Sequence, residues 1–138
     1  MHVQGATANK IFNKIIRMYT YRQSTGVLDR DGAPLLTGYA GHGAGVNNPA
    51  MQHQHDIGPL PQGRYTMTTI FDSPHTGLAS IILDPDAANE MFGRSGFRIH
   101  GDNAAADHTA SNGCIIAGHA ADRRAIWNSG DRQLIVIA

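Results

Sequence analysis

Glycine recurs through this chain too often for long helices: sixteen of its 138 residues are glycine, about 12% against a usual ~7%. Each glycine weakens a helix interior by about 1 kcal/mol relative to alanine and frees the backbone for turns at positive φ. The pattern therefore favours short strands and tight turns, and predicts a mainly β fold. A chain of this length suits one compact domain with its own core and is too short for two ordinary ones. Residues 1–13 are small and polar with little pattern, and read as a leader or an added arm ahead of a domain spanning 14–138.

Residues 14–23 partly alternate, with Ile16, Met18 and Thr20 on one face, and end at Ser24-Thr25-Gly26. A meander follows over 27–30 and 35–40, turned by Asp31-Gly32, a strong hairpin signal. Residues 41–63 hold five glycines, three prolines and three histidines without periodicity, and loops of that length in small domains are functional or disordered. Strand character resumes at 64–71 and 80–83, and residues 86–91 suit one helical turn capped by Asp86. Residues 97–102 alternate cleanly, Phe97, Ile99 and Gly101 against Arg98, His100 and Asp102. Residues 114–117 read as a buried strand, 119–127 as a short helix ended by Gly130, and 131–138 as a last strand.

Charge and hydropathy exclude several classes. Lys plus Arg equals Asp plus Glu, eleven each, so no net field draws the chain to nucleic acid or anionic lipid. The longest apolar run is the five residues 134–138, far below the roughly 20 that span a bilayer. Near the N-terminus, Lys10, Asn13, Lys14 and Arg17 interrupt Ile11, Phe12, Ile15 and Ile16 before a signal-peptide core forms, which predicts synthesis in the cytoplasm without a Sec signal.

Cys114 is the chain's one cysteine and is accompanied by eight histidines. On composition alone a lone cysteine is a small buried hydrophobe. Its setting argues otherwise. Ser111-Asn112-Gly113 places the thiol where a flexible turn runs into the hydrophobic Ile115-Ile116. Gly113 lets a carbonyl approach the backbone, and N–H groups of 112–114 converging on an oxyanion would supply the term often largest in acyl transfer. His100, fourteen residues earlier, ends its own strand within reach of a loop closure. An imidazole beside a thiol assists its ionisation and then protonates the leaving amine. Arg98, Arg94 and Asp102 flank the pair. Either arginine suits a substrate carboxylate, Asp102 suits orienting the ring or its loop, and a solvent-facing role serves equally for Arg98 and Asp102. Ser111 suits a bond within its own turn. Trp127 suits the core, with sugar stacking as the alternative.

Phe97-Arg98-Ile99-His100-Gly101 followed by Ser111-Asn112-Gly113-Cys114-Ile115 resembles the His-Gly and Ser-x-Gly-Cys signature of L,D-transpeptidase catalytic domains. Gly58-Pro59-Leu60-Pro61-Gln62-Gly63-Arg64-Tyr65 is similar to a Pro-x-Gly-x-Tyr motif of that fold, and residues 129–136 resemble its closing strand. Gly38-Tyr39-Ala40-Gly41-His42-Gly43, Asn47-Asn48-Pro49 with Gln52, and Met91-Phe92-Gly93-Arg94-Ser95-Gly96-Phe97 resemble the type VI secretion L,D-transpeptidase effectors. The resemblance covers roughly residues 15–138. It implies a β-sandwich or barrel with one or two short helices, and Cys114 attacking the diaminopimelate carbonyl of a peptidoglycan stem tetrapeptide with His100 as its partner. D-alanine would leave, and water or a free D-amino acid would complete carboxypeptidase or exchange chemistry without a cofactor. It also implies a type VI delivery component, action in the periplasm of a target cell and a cognate immunity protein. Common L,D-transpeptidases carry histidine where this chain has Asn112, a longer His-to-Cys spacing and a polar residue near Ile116. Those departures bear on crosslink formation more than on the cysteine chemistry.

Two other readings remain. His53 and His55, with His42, His100 and Asp102, would make a chemically adequate zinc set for a peptidoglycan peptidase, although it leaves Ser-Asn-Gly-Cys unexplained. A non-catalytic module would use the 41–63 loop to bind cell-wall peptides or a partner.

Overall fold

The computed structural model describes residues 17–138; the arm over 1–13 and the start of the strand expected from residue 14 lie outside the described residues. Among the described residues nine strands form one sheet in the order β3-β2-β1-β9-β5-β6-β7-β8-β4. They are β1 Tyr19–Arg22, β2 Val27–Arg30, β3 Ala33–Thr37, β4 Tyr39–Ala40, β5 Gly63–Ser73, β6 Gly77–Pro85, β7 Arg98–His100, β8 Ile115–Ile116 and β9 Gln133–Ile137. Among the described residues one helix, α1, runs Ala120–Asn128, and two 3-10 turns, Gly43–Gly45 and Pro49–Met51, shape the long loop. The mainly β expectation holds.

The strand expected over 35–40 instead divides at Gly38. Its first part pairs with β2, while Tyr39–Ala40 pairs with β8 at the other edge of the sheet. Because β3 and β4 are the two edges and one residue separates them, the sheet curls into a nearly closed barrel. Gly38 makes the join possible. Its N–H donates to Gly26 O (2.7 Å), and a Cβ there would lie 1.9 Å from Ile116 O, a contact no side chain survives.

Alternation sets what faces inward. Tyr19 and Tyr21 on β1, Leu134 and Val136 on β9, and Ile99 on β7 all reach the core, each contributing about 1.5–3 kcal/mol on burial. On β1 the fully buried face is thus the one opposite Met18 and Thr20. The long β5–β6 hairpin brings Tyr65, Met67, Ile81 and Leu83 to the same cluster. Helix α1 adds Ile126 and begins where Asp122 Oδ2 accepts the His119 N–H (2.8 Å). Among the described residues no helix is long and apolar enough to cross a membrane.

Over 86–91 the expected turn is a single one, closed by the Asn89 N–H on Asp86 O (3.0 Å), and it does not continue into a helix. Asp86 Oδ1 accepts the Ala88 N–H (2.8 Å), and the Asn89 amide brackets Arg64 on β5, accepting from its N–H (3.0 Å) and donating to its carbonyl (2.8 Å). Short polar side chains that bond nearby backbone compete with helix formation. Here they win.

Candidate active site

Strands β7 and β8 run parallel, with Ile99 opposite Ile115 and His100 opposite Ile116. Ile99 and Ile115 are wholly buried in the core. By the period of two, Arg98, His100 and Cys114 belong to the opposite face. Cys114 stands one residue before β8, where its Sγ accepts the Arg98 N–H (3.3 Å) and the thiol donates to Gly96 O (3.8 Å). His100 is only 5% exposed, and its Nδ1 lies 2.8 Å from Gly101 O. A carbonyl only accepts, so Nδ1 carries the hydrogen and Nε2 is left as the basic nitrogen.

The turn before the thiol is held by Ser111, which is fully buried. Its Oγ donates to Cys114 O (2.7 Å) and accepts the N–H groups of Gly113 (3.0 Å) and Gly41 (2.9 Å). One hydroxyl thus staples the cysteine turn to itself and to the start of the long loop. The Gly113 N–H, one of three expected to face an oxyanion, is committed to this staple. Of the three, the Asn112 and Cys114 N–H groups are outside this staple.

Burial foremost pushes the Cys114 thiol above its ordinary value, against the opposing pull of the Arg98 N–H and the charges of Arg98 and Arg94. Burial also lowers His100, helped by Arg123 and Arg98 and opposed by the Gly101 bond and Asp102. Both shifts favour the uncharged forms, so the resting pair is thiol and imidazole rather than thiolate and imidazolium.

The other expected residues take distinct places. Arg98 donates from Nη1 to Ser73 Oγ (3.2 Å) and Thr76 Oγ1 (3.1 Å) and lies over the Phe71 ring, at the turn of the β5–β6 hairpin. Arg94 turns inward, with its guanidinium on four backbone carbonyls. Asp102 holds the loop, accepting from Tyr39 Oη (2.8 Å) and the Asn103 N–H (2.9 Å); the ring of His100 is oriented by Gly101 O. A cleft of about 410 Å³ opens beside His100, lined also by His75, Thr76, Asn103 and Ala110. Among the described residues no three His, Cys, Asp or Glu side chains gather to hold a metal, and His55 Nε2 is turned to Phe92 O (2.9 Å). Trp127 packs against the core with Arg132 over its ring.

Two residues given no role by the sequence support the site. Tyr39 Oη also accepts the Ala110 N–H (3.2 Å), and its ring lies against His108. It clamps both feet of the 102–110 loop, and burial, the leading cause, with the Asp102 bond pushes its phenol up to about 12. Buried Gln23 donates to Gln52 Oε1 (3.2 Å) and Leu60 O (2.9 Å) and accepts from Gln62 Nε2 (3.1 Å), which ties β1 to the far end of the long loop. Tyr39 stands in the Gly38–Gly43 motif, but nothing local in the sequence signals its role or that of Gln23, because each acts through partners distant along the chain.

The profile of the Tlde1 domain matches residues 35–137. The chain belongs to the Tlde1 family. That family is the type VI secretion L,D-transpeptidase effectors, and its match takes in β3 to β9 and therefore both halves of the Cys114–His100 face. Among solved structures, the Tlde1 chain is similar in fold to the Ldtfm-avibactam carbamoyl enzyme, an L,D-transpeptidase, with a TM-score of 0.54 and 10% identity. The similarity covers 88% of this chain and 49% of that one, so this chain spans about half the length of the solved relative. A comparison with curated proteins finds no match.

Proposed function

We propose that this Tlde1 domain is a cysteine-dependent enzyme of peptidoglycan stem peptides, an L,D-carboxypeptidase that also exchanges D-amino acids, delivered by a type VI apparatus into the periplasm of a target cell. The observation that carries the reading is the pairing of β7 with β8: it gives the chain's one thiol and an imidazole with a free Nε2 to one sheet face. In the reaction, the Cys114 proton passes to His100 Nε2 as Sγ bonds to the diaminopimelate carbonyl carbon. The tetrahedral oxyanion is met by the Asn112 and Cys114 N–H groups of the turn. The C–N bond then breaks, and imidazolium returns the proton to the amine of departing D-alanine, leaving a thioester. Water, deprotonated by His100, releases the tripeptide and restores the thiol; a D-amino acid amine in its place yields the exchanged tetrapeptide.

Arg98 stands on that face with Cys114 and His100, and in this reading it receives the terminal carboxylate of the stem. The neutral resting pair fits a mechanism in which His100 acts as general base during attack rather than as a standing ion-pair partner.

Mass spectrometry of tetrapeptide muropeptides tests the proposal. The wild-type chain is expected to remove the terminal D-alanine, or to replace it when another D-amino acid is supplied, and folded Cys114→Ala to do neither. Trimming by folded Cys114→Ala at a rate comparable to wild type would overturn the mechanism.

A further inference from the structure

Two buried arginines flank the site without a carboxylate partner, and each fills the space left by a missing side chain in one of the two sequence motifs. Arg94 is 6% exposed and Arg123 4%. The ion pairs among the described residues are Arg17–Asp31 and Arg30–Asp131, and neither includes them. A cation so deep is ordinarily matched by an anion. Here carbonyl dipoles solvate the charge without cancelling it. Arg94 donates to Gln52 O (2.6 Å), Pro59 O (2.8 Å), Gly58 O (2.9 Å) and Asn112 O (3.2 Å). Arg123 donates to Gly118 O (2.8 Å), Ala117 O (2.9 Å), Ala79 O (3.0 Å) and Leu78 O (3.0 Å).

The glycines show where those charges stand. A Cβ on Gly113, the residue before Cys114, would lie 2.6 Å from Arg94 Nη2. A Cβ on Gly101, the residue after His100, would lie 2.9 Å from Arg123 Nη2. Each guanidinium is therefore packed against the bare Cα beside one reactive residue. At Gly101 the space is taken by Arg123 alone, whereas at Gly113 the Phe97 ring (2.8 Å) and a φ of 136° also favour glycine.

We propose that Arg94 and Arg123 are positioning residues for the Cys114–His100 pair, each locking the backbone on which one reactive side chain stands and placing behind it a positive charge that no carboxylate contacts. This rests on the reading of Cys114 and His100 as the reacting groups. Behind Cys114 the charge favours thiolate and the oxyanion that follows attack. Behind His100 it opposes imidazolium at rest, which keeps Nε2 free to take the thiol proton. The charged groups acting on Cys114 are Arg98 on β7 and Arg94; those acting on His100 are Arg98, Asp102 and Arg123 on α1. Tyr65 and Asp56 act on Arg94 in turn, and Asp122 and Arg124 on Arg123.

The test reads protonation, not turnover. Alkylation of Cys114 by iodoacetamide is followed against pH, and the His100 ring is titrated by NMR, in wild type and in Arg94→Met, Arg94→Lys, Arg123→Met and Arg123→Lys. Arg94→Met is expected to slow alkylation about tenfold near neutral pH and to move its midpoint upward; Arg123→Met is expected to raise the His100 midpoint. The lysine variants, which keep the charge and lose the fork, should fall between. Folded methionine variants with both midpoints unmoved would reduce the arginines to packing and overturn the proposal. Should they fail to fold, wild type carries the test: buried charges are poorly screened, so salt raised from about 0.05 to about 0.5 M should leave both midpoints in place. Movement with salt would assign the field to exposed charges and overturn it. Because no substrate is used, inactivity on stem peptides would count against the proposed function alone, and unmoved midpoints in an active enzyme against this proposal alone.

Discussion

His100 cannot take up a proton without a charge being held in a mostly buried position, and the consequence is a pH dependence of definite sign. Its value in the fold lies below the ordinary 6.5, so the unfolded chain binds the proton more readily. His100's contribution to stability is whole above the unfolded value and is lost as pH falls through it toward the folded one. Melting temperature against pH should show that loss, and His100→Gln should lack it. Activity should follow the same group: the acid limb of kcat/KM is expected below 6.5, and His100→Ala to lower the rate about 100- to 10,000-fold. An acid limb above 6.5 would mean that another group is the base. Ser111 gives a second expectation. Ser111→Ala leaves the Gly41 and Gly113 N–H groups without their acceptor, a loss of about 2–4 kcal/mol measurable by denaturant unfolding, and alkylation of Cys114 should slow as its turn loosens.

At the scale of elements, the parts that were legible in the sequence are those whose cause is local. Strict alternation over 97–102 placed Phe97 and Ile99 inward because the period of two is set by the backbone itself, and Asp31-Gly32 marked its turn because those residues tolerate positive φ, 50° and 84° here. The division at Gly38 was not legible, since its cause is the Ile116 carbonyl, far along the chain. The same holds within the site. His-Gly and Ser-Asn-Gly-Cys can be read as motifs, whereas the Tyr39 clamp and the carbonyl cages of Arg94 and Arg123 exist only once β4, β8 and α1 are assembled. Tyr39→Phe isolates the clamp: it keeps the ring on His108 and removes the bonds to Asp102 and Ala110. The expected outcome is a several-fold fall in kcat with a small change in melting temperature, as the 102–110 loop between His100 and Cys114 loses both anchors. An unchanged kcat would show that β7 and β8 hold the pair without the loop.

For the whole molecule, the proposed substrate and the family point to one place of action. A diaminopimelate stem in mature peptidoglycan lies outside the cytoplasmic membrane, and the Tlde1 domain belongs to effectors of a secretion apparatus. The chain should therefore be harmless where it has no wall to act on and harmful where it does. Expression in the cytoplasm of a Gram-negative cell should be tolerated. The same chain behind an added periplasmic signal should cause swelling or lysis, and Cys114→Ala should abolish the effect, because the proposed reaction runs through this thiol and the chain has no other. A producer exposed to its own effector needs protection in the same compartment, most simply a protein that covers the face of β7 and β8 where Arg98, His100 and Cys114 stand. Co-expression of such a protein should block alkylation of Cys114 as well as lysis. Toxicity confined to the cytoplasm, or periplasmic lysis that survives Cys114→Ala, would remove this chain from the class of exported cell-wall enzymes.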